Sequence, residues 1–148
     1  MFKHILLPTD GSKLSDRAVQ RGLELADAVG ARVTAVHVIP EFRFMADEGF
    51  ILPNSVELQR RYEKESKLRA EKMLNKIGER AAAAGVKFDG VAVSGDVAYE
   101  QIIETAKKRK CDLIMMASHG RRGLSGLLLG SETSKVLTHS KIPVLVVR

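Results

Sequence analysis

Apolar runs alternate along this chain with segments whose apolar positions recur every three or four residues. The runs from Phe2 to Leu7, Arg32 to Val38, Val86 to Val93, Cys111 to Ala117 and Ile142 to Val147 read as strands. They are largely unbroken rather than strictly alternating, which is the pattern of strands buried on both faces. Between them lie helical patterns. Leu14, Ala18, Gly22, Leu25 and Val29 form one face of a helix that follows the turn Thr9, Asp10, Gly11, Ser12 and stops at Gly30. Val56 to Ala84 reads as one long helix with the stripe Tyr62, Ser66, Ala70, Met73, Ile77, Ala81 and Ala84. Its other side carries the i,i+4 pairs Glu57/Arg61, Glu63/Lys67 and Glu65/Arg69, each worth only about 0.2–0.5 kcal/mol and therefore a sign of exposure. Gly95 and Asp96 open a helix that extends to about Lys110, with Ile102, Ile103 and Ala106 inward, and a last helix spans Ser131 to Thr138. Residues 41–55 are too long for an ordinary connection and read as a flap or a partner surface.

This order predicts an α/β fold in a single domain covering residues 1–148: an open parallel sheet with helices on both faces and right-handed crossovers. Ligands in such sheets bind beyond the carboxyl ends of the strands, where the strand order reverses. Two segments fall at such ends, PTDGS after the first strand and ASHGRRG after the fourth, and they become the two sides of one cleft.

The stretch MASHGRRGLSGLLLGSE, Met116 to Glu132, is where chemistry enters. Gly120, Gly123, Gly126 and Gly130 let successive backbone N–H groups surround an anion. Gly130 and Ser131 open the last helix, whose free N–H groups favour phosphate. Asp10, across the cleft, supplies a carboxylate able to accept hydrogens from ribose hydroxyls. The reading is a nucleotide, sugar toward Asp10 and phosphates toward Gly120, Gly130 and Ser131. The alternative is a glycine-rich turn needed only to pack the last helix. No G-x-x-x-x-G-K-[ST] is present, nor G-x-G-x-x-G after the first strand.

Composition narrows the rest. Hydrophobic residues make up 45% and charged residues 28% of 148, an ordinary globular balance. The net charge of +6 raises the question of nucleic acid, but much of the charge alternates in sign between Glu57 and Lys72, and there is no tryptophan to stack on bases. Neither nucleic acid nor membrane is expected as a partner. The single Cys111 rules out an internal disulfide and reads as a buried, inert thiol. The scattered His4, His37 and His139 argue against zinc. With no membrane-length run and no signal-peptide pattern, a cytoplasmic protein is the expectation.

On these residues the chain resembles the universal stress protein family, from HILLPTDGS to KIPVLVV. Nucleotide-binding members of that family carry Gly, two residues, Gly, nine residues, then Gly and Ser or Thr. Here Gly120 takes the second position, Arg121 to Leu129 are the nine, and Gly130 and Ser131 follow; Ala117 replaces the first glycine. The resemblance implies five parallel strands in the order 3-2-1-4-5, a homodimer paired through the last strand, and a site for ATP. The first turn then supplies Pro8, Thr9 and Asp10, and Val38 meets the adenine. The loop supplies Ala117, Ser118, His119, Gly120, Arg121, Arg122 and Gly123, and the helix start Gly130, Ser131, Glu132 and Thr133. An extra methyl at Ala117 is accommodated if the backbone stays in the β region, and obstructs if positive φ or close approach is needed.

His119 reads as a loop residue bonded to backbone rather than as an acid–base group. A Ser118–His119 pair is not expected, because adjacent side chains rarely meet in the required geometry. Arg121 and Arg122 either cover the phosphates or face solvent. Magnesium enters only with the phosphates, since no carboxylate cluster is visible. The function expected is an ATP-binding regulatory protein of the stress response, with little or slow hydrolysis and with room for an unidentified protein partner. The alternative is a homodimeric interaction module of the same fold without nucleotide. A small enzyme using His119 and Asp10 is the weakest reading, for want of a third group.

Overall fold

A computed structural model describes residues 1–42, 55–121 and 129–148. The elements are β1 (His4–Pro8), α1 (Lys13–Val29), β2 (Arg32–Ile39), α2 (Ser55–Ala83), β3 (Phe88–Ser94), α3 (Ala98–Lys108), β4 (Leu113–Ala117), α4 (Ser131–His139) and β5 (Val144–Val147). All paired strands are parallel, and the order is β3-β2-β1-β4-β5. The strand order expected from the sequence is therefore found.

The sheet divides the core in two. Ile5, Leu7, Val33, Leu113 and Met115 face Val19 and Leu23 of α1 and Leu74 and Ile77 of α2. Leu6, Val36, Ile114 and Met116 face Ile102 and Ile103 of α3 and Val136 of α4. Successive residues of β1 and β4 thus serve opposite faces, which is why their sequences are apolar at nearly every position. Burying a side chain such as Leu6 or Leu7 contributes about 1.5–3 kcal/mol.

Several edges of the predicted elements move, each for a local reason. The buried face of α1 is Ser15, Ala18, Val19, Gly22, Leu23 and Ala26 rather than the stripe through Leu14, Leu25 and Val29. Ser15 can turn inward because its hydroxyl donates to the Ser12 carbonyl at 3.0 Å and lies 3.1 Å from the Thr9 hydroxyl. Leu74 replaces Met73 on the buried face of α2. Val86 is not strand: its N–H returns to the Ala81 carbonyl at 2.9 Å, closing the end of α2. Cys111 closes α3 in the same way through the Ala106 carbonyl at 2.8 Å, so β4 starts at Leu113. On α2, Arg61 pairs with Glu65 at 3.3 Å, i,i+4 toward the C-terminus. Among the described residues no helix is long and apolar enough to cross a membrane. The readings for residues 43–54 lie outside the described residues.

Candidate functional site

β1 lies between β2 on one side and β4 on the other, so the order reverses at the β1/β4 boundary. The carboxyl ends of these two strands deliver Asp10 and Gly120 to the same place. The Arg121 N–H donates to Asp10 Oδ2 at 2.7 Å, and the Ser12 N–H donates to Asp10 Oδ1 at 2.9 Å. A Cβ on Gly120 would stand 2.8 Å from Asp10 Oδ2, so only glycine lets the loop come this close. Burial alone would raise the Asp10 pKa. Hydrogen bonds from Ser12, from the Arg121 amide and from Ser15 outweigh it and hold the carboxyl below its ordinary value, so the group is ionised at neutral pH.

The surrounding turn is built from short polar side chains. The Ser12 hydroxyl accepts from the Ser15 N–H at 3.2 Å and caps α1. The Thr9 hydroxyl accepts from the Gly11 N–H at 3.2 Å, and its carbonyl lies 2.9 Å from His37 Nδ1. Pro8 ends β1 opposite Val36, and Thr9 is buried. Val38 sits in β2 opposite Val93, with its side chain packed in the core on the α3 side, which leaves the cleft only its backbone. Above the turn, Met73 of α2 and the Arg121 guanidinium both lie against Gly11: a Cβ there would be 2.8 Å from Met73 Cε and 3.2 Å from an Arg121 nitrogen.

The far side of the cleft is the start of α4. Gly130 is its N-cap and, as a glycine, offers no side-chain cap, so the first-turn N–H groups of residues 131–133 have no intrahelical partner. The Gly130 N–H itself is taken, donating to the Ser118 carbonyl at 2.7 Å. Ser131 is exposed at this end. Thr133 is buried, and its hydroxyl donates to the Ala117 carbonyl at 2.9 Å, tying α4 to the end of β4. The Glu132 carboxylate turns away, accepting from the Tyr99 N–H at 2.8 Å in the first turn of α3. That remote contact serves α3 where its own N-cap, Val97, has no side-chain hydrogen bond.

Ala117 keeps the β4 register opposite Val147 and is buried. Among the described residues Lys110 is the only non-glycine with positive φ. Position 117 therefore makes no dihedral demand for glycine, and the methyl is accommodated inside the fold. Ser118 and His119, not expected to meet, do so: Ser118 Oγ lies 3.0 Å from His119 Nδ1. The serine is only 3% exposed, so its hydroxyl offers no open nucleophile. Arg122 and Gly123 lie outside the described residues. Cys111 is buried, and burial pushes its thiol up to about 11, well away from a reactive thiolate.

The sequence reading passed over Ser12 and Ser15 as parts of the site. The spacing Asp10-x-Ser12, an aspartate two residues before a backbone donor, is the local signal for the Asp10–Ser12 contact. Met73 was visible as an apolar position, but its contact with Gly11 joins distant parts of the chain and has no local signature.

Fold and cleft together define a parallel α/β domain with an anionic anchor and an uncapped helix start facing one switch point. The chain belongs to the universal stress protein family, whose model matches residues 1–148. A universal stress protein of Thermus aquaticus is 37% identical, with 100% of both chains covered. One from Methanocaldococcus jannaschii is 34% identical over 100% of this chain and 83% of its own length. Among solved structures, the M. jannaschii protein MJ0577 superposes with a TM-score of 0.84 at 30% identity, covering 99% of this chain and 96% of that one. A universal stress protein solved in complex with cAMP gives a TM-score of 0.71 at 27% identity, covering 99% and 97%.

Proposed function

We propose that this protein is a regulatory nucleotide-binding module that takes ATP at the β1/β4 switch point. The observation that carries the reading is the ionised Asp10 carboxylate placed against Gly120, with the uncapped start of α4 closing the same loop through Gly130 and Ser118. The ribose end lies toward Asp10, and the phosphates lie toward the N–H groups of residues 131–133, where backbone donors and helix dipole both favour negative charge. Magnesium arrives with the phosphates. A relative bound to cAMP supports an adenine nucleotide as the ligand class. Nothing in the reading requires turnover: Ser118 is buried, and among the described residues no third group joins it and His119. Occupancy acts instead on a partner, either a second copy of the chain or an unidentified regulatory protein.

A second reading has its own observation. Both Asp10 oxygens are already bonded to backbone N–H groups, which suits a homodimeric interaction module that holds no nucleotide. Native mass spectrometry of gently purified protein, followed by calorimetric titration with ATP and magnesium, separates the two. Retained or added ATP bound at one site per chain supports the first. Asp10→Ala is then expected to weaken ATP more than inorganic tripolyphosphate, because only ATP carries sugar hydroxyls. Apo protein that takes up no ATP sinks the first reading and leaves the second.

A further inference from the structure

We infer that the Asp10–Arg121 contact is a latch: a ligand that brings its own hydrogen donor to Asp10 displaces the Arg121 amide and releases the backbone at the end of β4, whereas a ligand made of phosphate alone leaves it shut. The inference rests on the nucleotide reading above and adds its switching element.

Each carboxylate oxygen can accept two hydrogen bonds, so displacement rests on the space around Oδ2 rather than on saturation of its lone pairs. Asp10 Oδ1 is committed to the Ser12 N–H within the same turn, at a separation of two residues, and stays with it. Oδ2 is committed to the Arg121 N–H, 111 residues away in sequence, at 2.7 Å. Gly120 lies so close that a Cβ there would stand 2.8 Å from this same oxygen. A ribose hydroxyl approaching Oδ2 from the cleft therefore meets the Gly120–Arg121 backbone. The Arg121 guanidinium lies beside Gly11 on the neighbouring turn, and exchange at Oδ2 removes the charge-assisted hydrogen bond of the Arg121 backbone. The chain gives up a donor and the ligand supplies one, so the exchange is nearly balanced at the carboxylate. The hydrogen-bonding state of the Arg121 backbone then reports whether a nucleoside is present.

Two hollows elsewhere on the described surface do not compete with this site. One, lined by Lys3, Arg32 and Lys87, lies where α1 and α2 end, and its cations complement the negative ends of those helices. The other, between Leu74, Gly78 and Phe88, is a groove beside the β3 edge.

The test is amide exchange at Arg121, read by heteronuclear NMR on the full chain, free and with saturating ATP–magnesium or with inorganic tripolyphosphate. ATP is expected to speed Arg121 exchange about tenfold or more, as loss of a populated hydrogen bond requires, and tripolyphosphate to leave it unchanged. In parallel, ATP is titrated into Arg121→Ala, which keeps the N–H, and Arg121→Pro, which lacks both N–H and guanidinium. The proline variant is expected to bind about tenfold tighter than the alanine variant, because its closed form has lost the bond that competes with the ligand. ATP bound calorimetrically with Arg121 exchange unaltered overturns the latch and leaves the nucleotide reading standing. So does equal affinity of two folded variants. Failure of wild type and both variants to take up ATP overturns both proposals. The exchange measurement on wild type stands whether or not the proline variant folds.

Discussion

The amide of Gly130 donates to the carbonyl of Ser118 at 2.7 Å, joining the start of α4 to the end of β4. A Cβ on Gly130 would meet His119 Cα and the Ser118 carbonyl oxygen, each at 3.2 Å. Both are backbone atoms, which cannot swing aside as the tip of a flexible side chain can. Gly130 is thus required by the approach of two chain segments, and its N–H is spent on that junction rather than on a phosphate. Gly130→Val is expected to lower stability by about 1–3 kcal/mol, read from urea denaturation. It should also displace the first-turn donors of α4, so ATP affinity falls while far-ultraviolet circular dichroism stays near wild type. Unchanged stability together with unchanged affinity would show that the junction tolerates a side chain.

The fold was legible in the sequence because its strands are buried on both faces and its helices stop at strong signals such as Gly30 and Gly85. The errors lie where small polar residues do the work of apolar ones. Ser15 occupies an inward position of α1 that a hydrophobic template assigns to Leu14, and it does so because two oxygens nearby satisfy its hydroxyl. The candidate site was legible in its chemistry, an acid after β1 and glycines after β4, but not in its wiring. Asp10 to Arg121 spans 111 residues and Glu132 to Tyr99 spans 33. Local rules of spacing carry no information about such pairs; they follow from the strand order.

His4 offers a test of how burial governs stability against pH. His4 is 5% exposed in β1, Nε2 lies 2.8 Å from the Thr34 hydroxyl, and Nδ1 has no partner among the described residues. Burial lowers its pKa below 6.5, and the positive charge of Arg32 lowers it further. The Arg109 charge adds to this, while the Arg109 backbone and Asp112 oppose it. The folded chain therefore prefers the neutral ring. Its contribution to stability is fully present above pH 6.5 and is lost as pH falls from there toward the folded value, because the unfolded chain takes up the proton first. Denaturation midpoints measured between neutral and mildly acidic pH should decline with acid in wild type and decline less in His4→Gln. Parallel slopes for the two proteins would place the acid sensitivity elsewhere.

Lys110 holds φ at 55°, in the left-handed region, directly after the C-cap of α3. Its N–H donates to the Lys107 carbonyl at 3.0 Å, and Cys111 completes the closure of the helix. An L side chain carries a penalty of about 1–2 kcal/mol in this conformation, which glycine avoids at a smaller loss in chain entropy. Lys110→Gly should therefore stabilise the protein by about 0.5–1 kcal/mol, raising Tm by about 1–4 °C for a domain of this size. A lower Tm would show that the lysine side chain contributes more than the strain it imposes.

The last prediction concerns β5, the edge strand beside β4. Ile114 donates to the Pro143 carbonyl at 2.9 Å and Ser118 to the Val147 carbonyl at 2.8 Å. With Met115 opposite Leu145 and Met116 opposite Val146, the parallel ladder directs the backbone groups of residues 143, 145 and 147 toward β4. The N–H and C=O of Val144 and Val146 consequently face the open side. Leu145 is 39% exposed, and the strand contains no charge and no proline to discourage pairing. We propose that two copies pair antiparallel through this edge about a two-fold axis, so that each supplies the other's missing donors and acceptors. Val146→Pro removes a donor from the open side alone and spares the ladder to β4, so it should leave the fold intact while driving the protein to monomer. Light scattering across a dilution series reads the outcome. Wild type is expected at dimer mass at tens of micromolar, in line with an interface of ordinary size, and the variant at monomer mass. A dimer that persists unchanged in the variant would place the interface on another surface, and a wild type that stays monomeric would remove the dimer altogether.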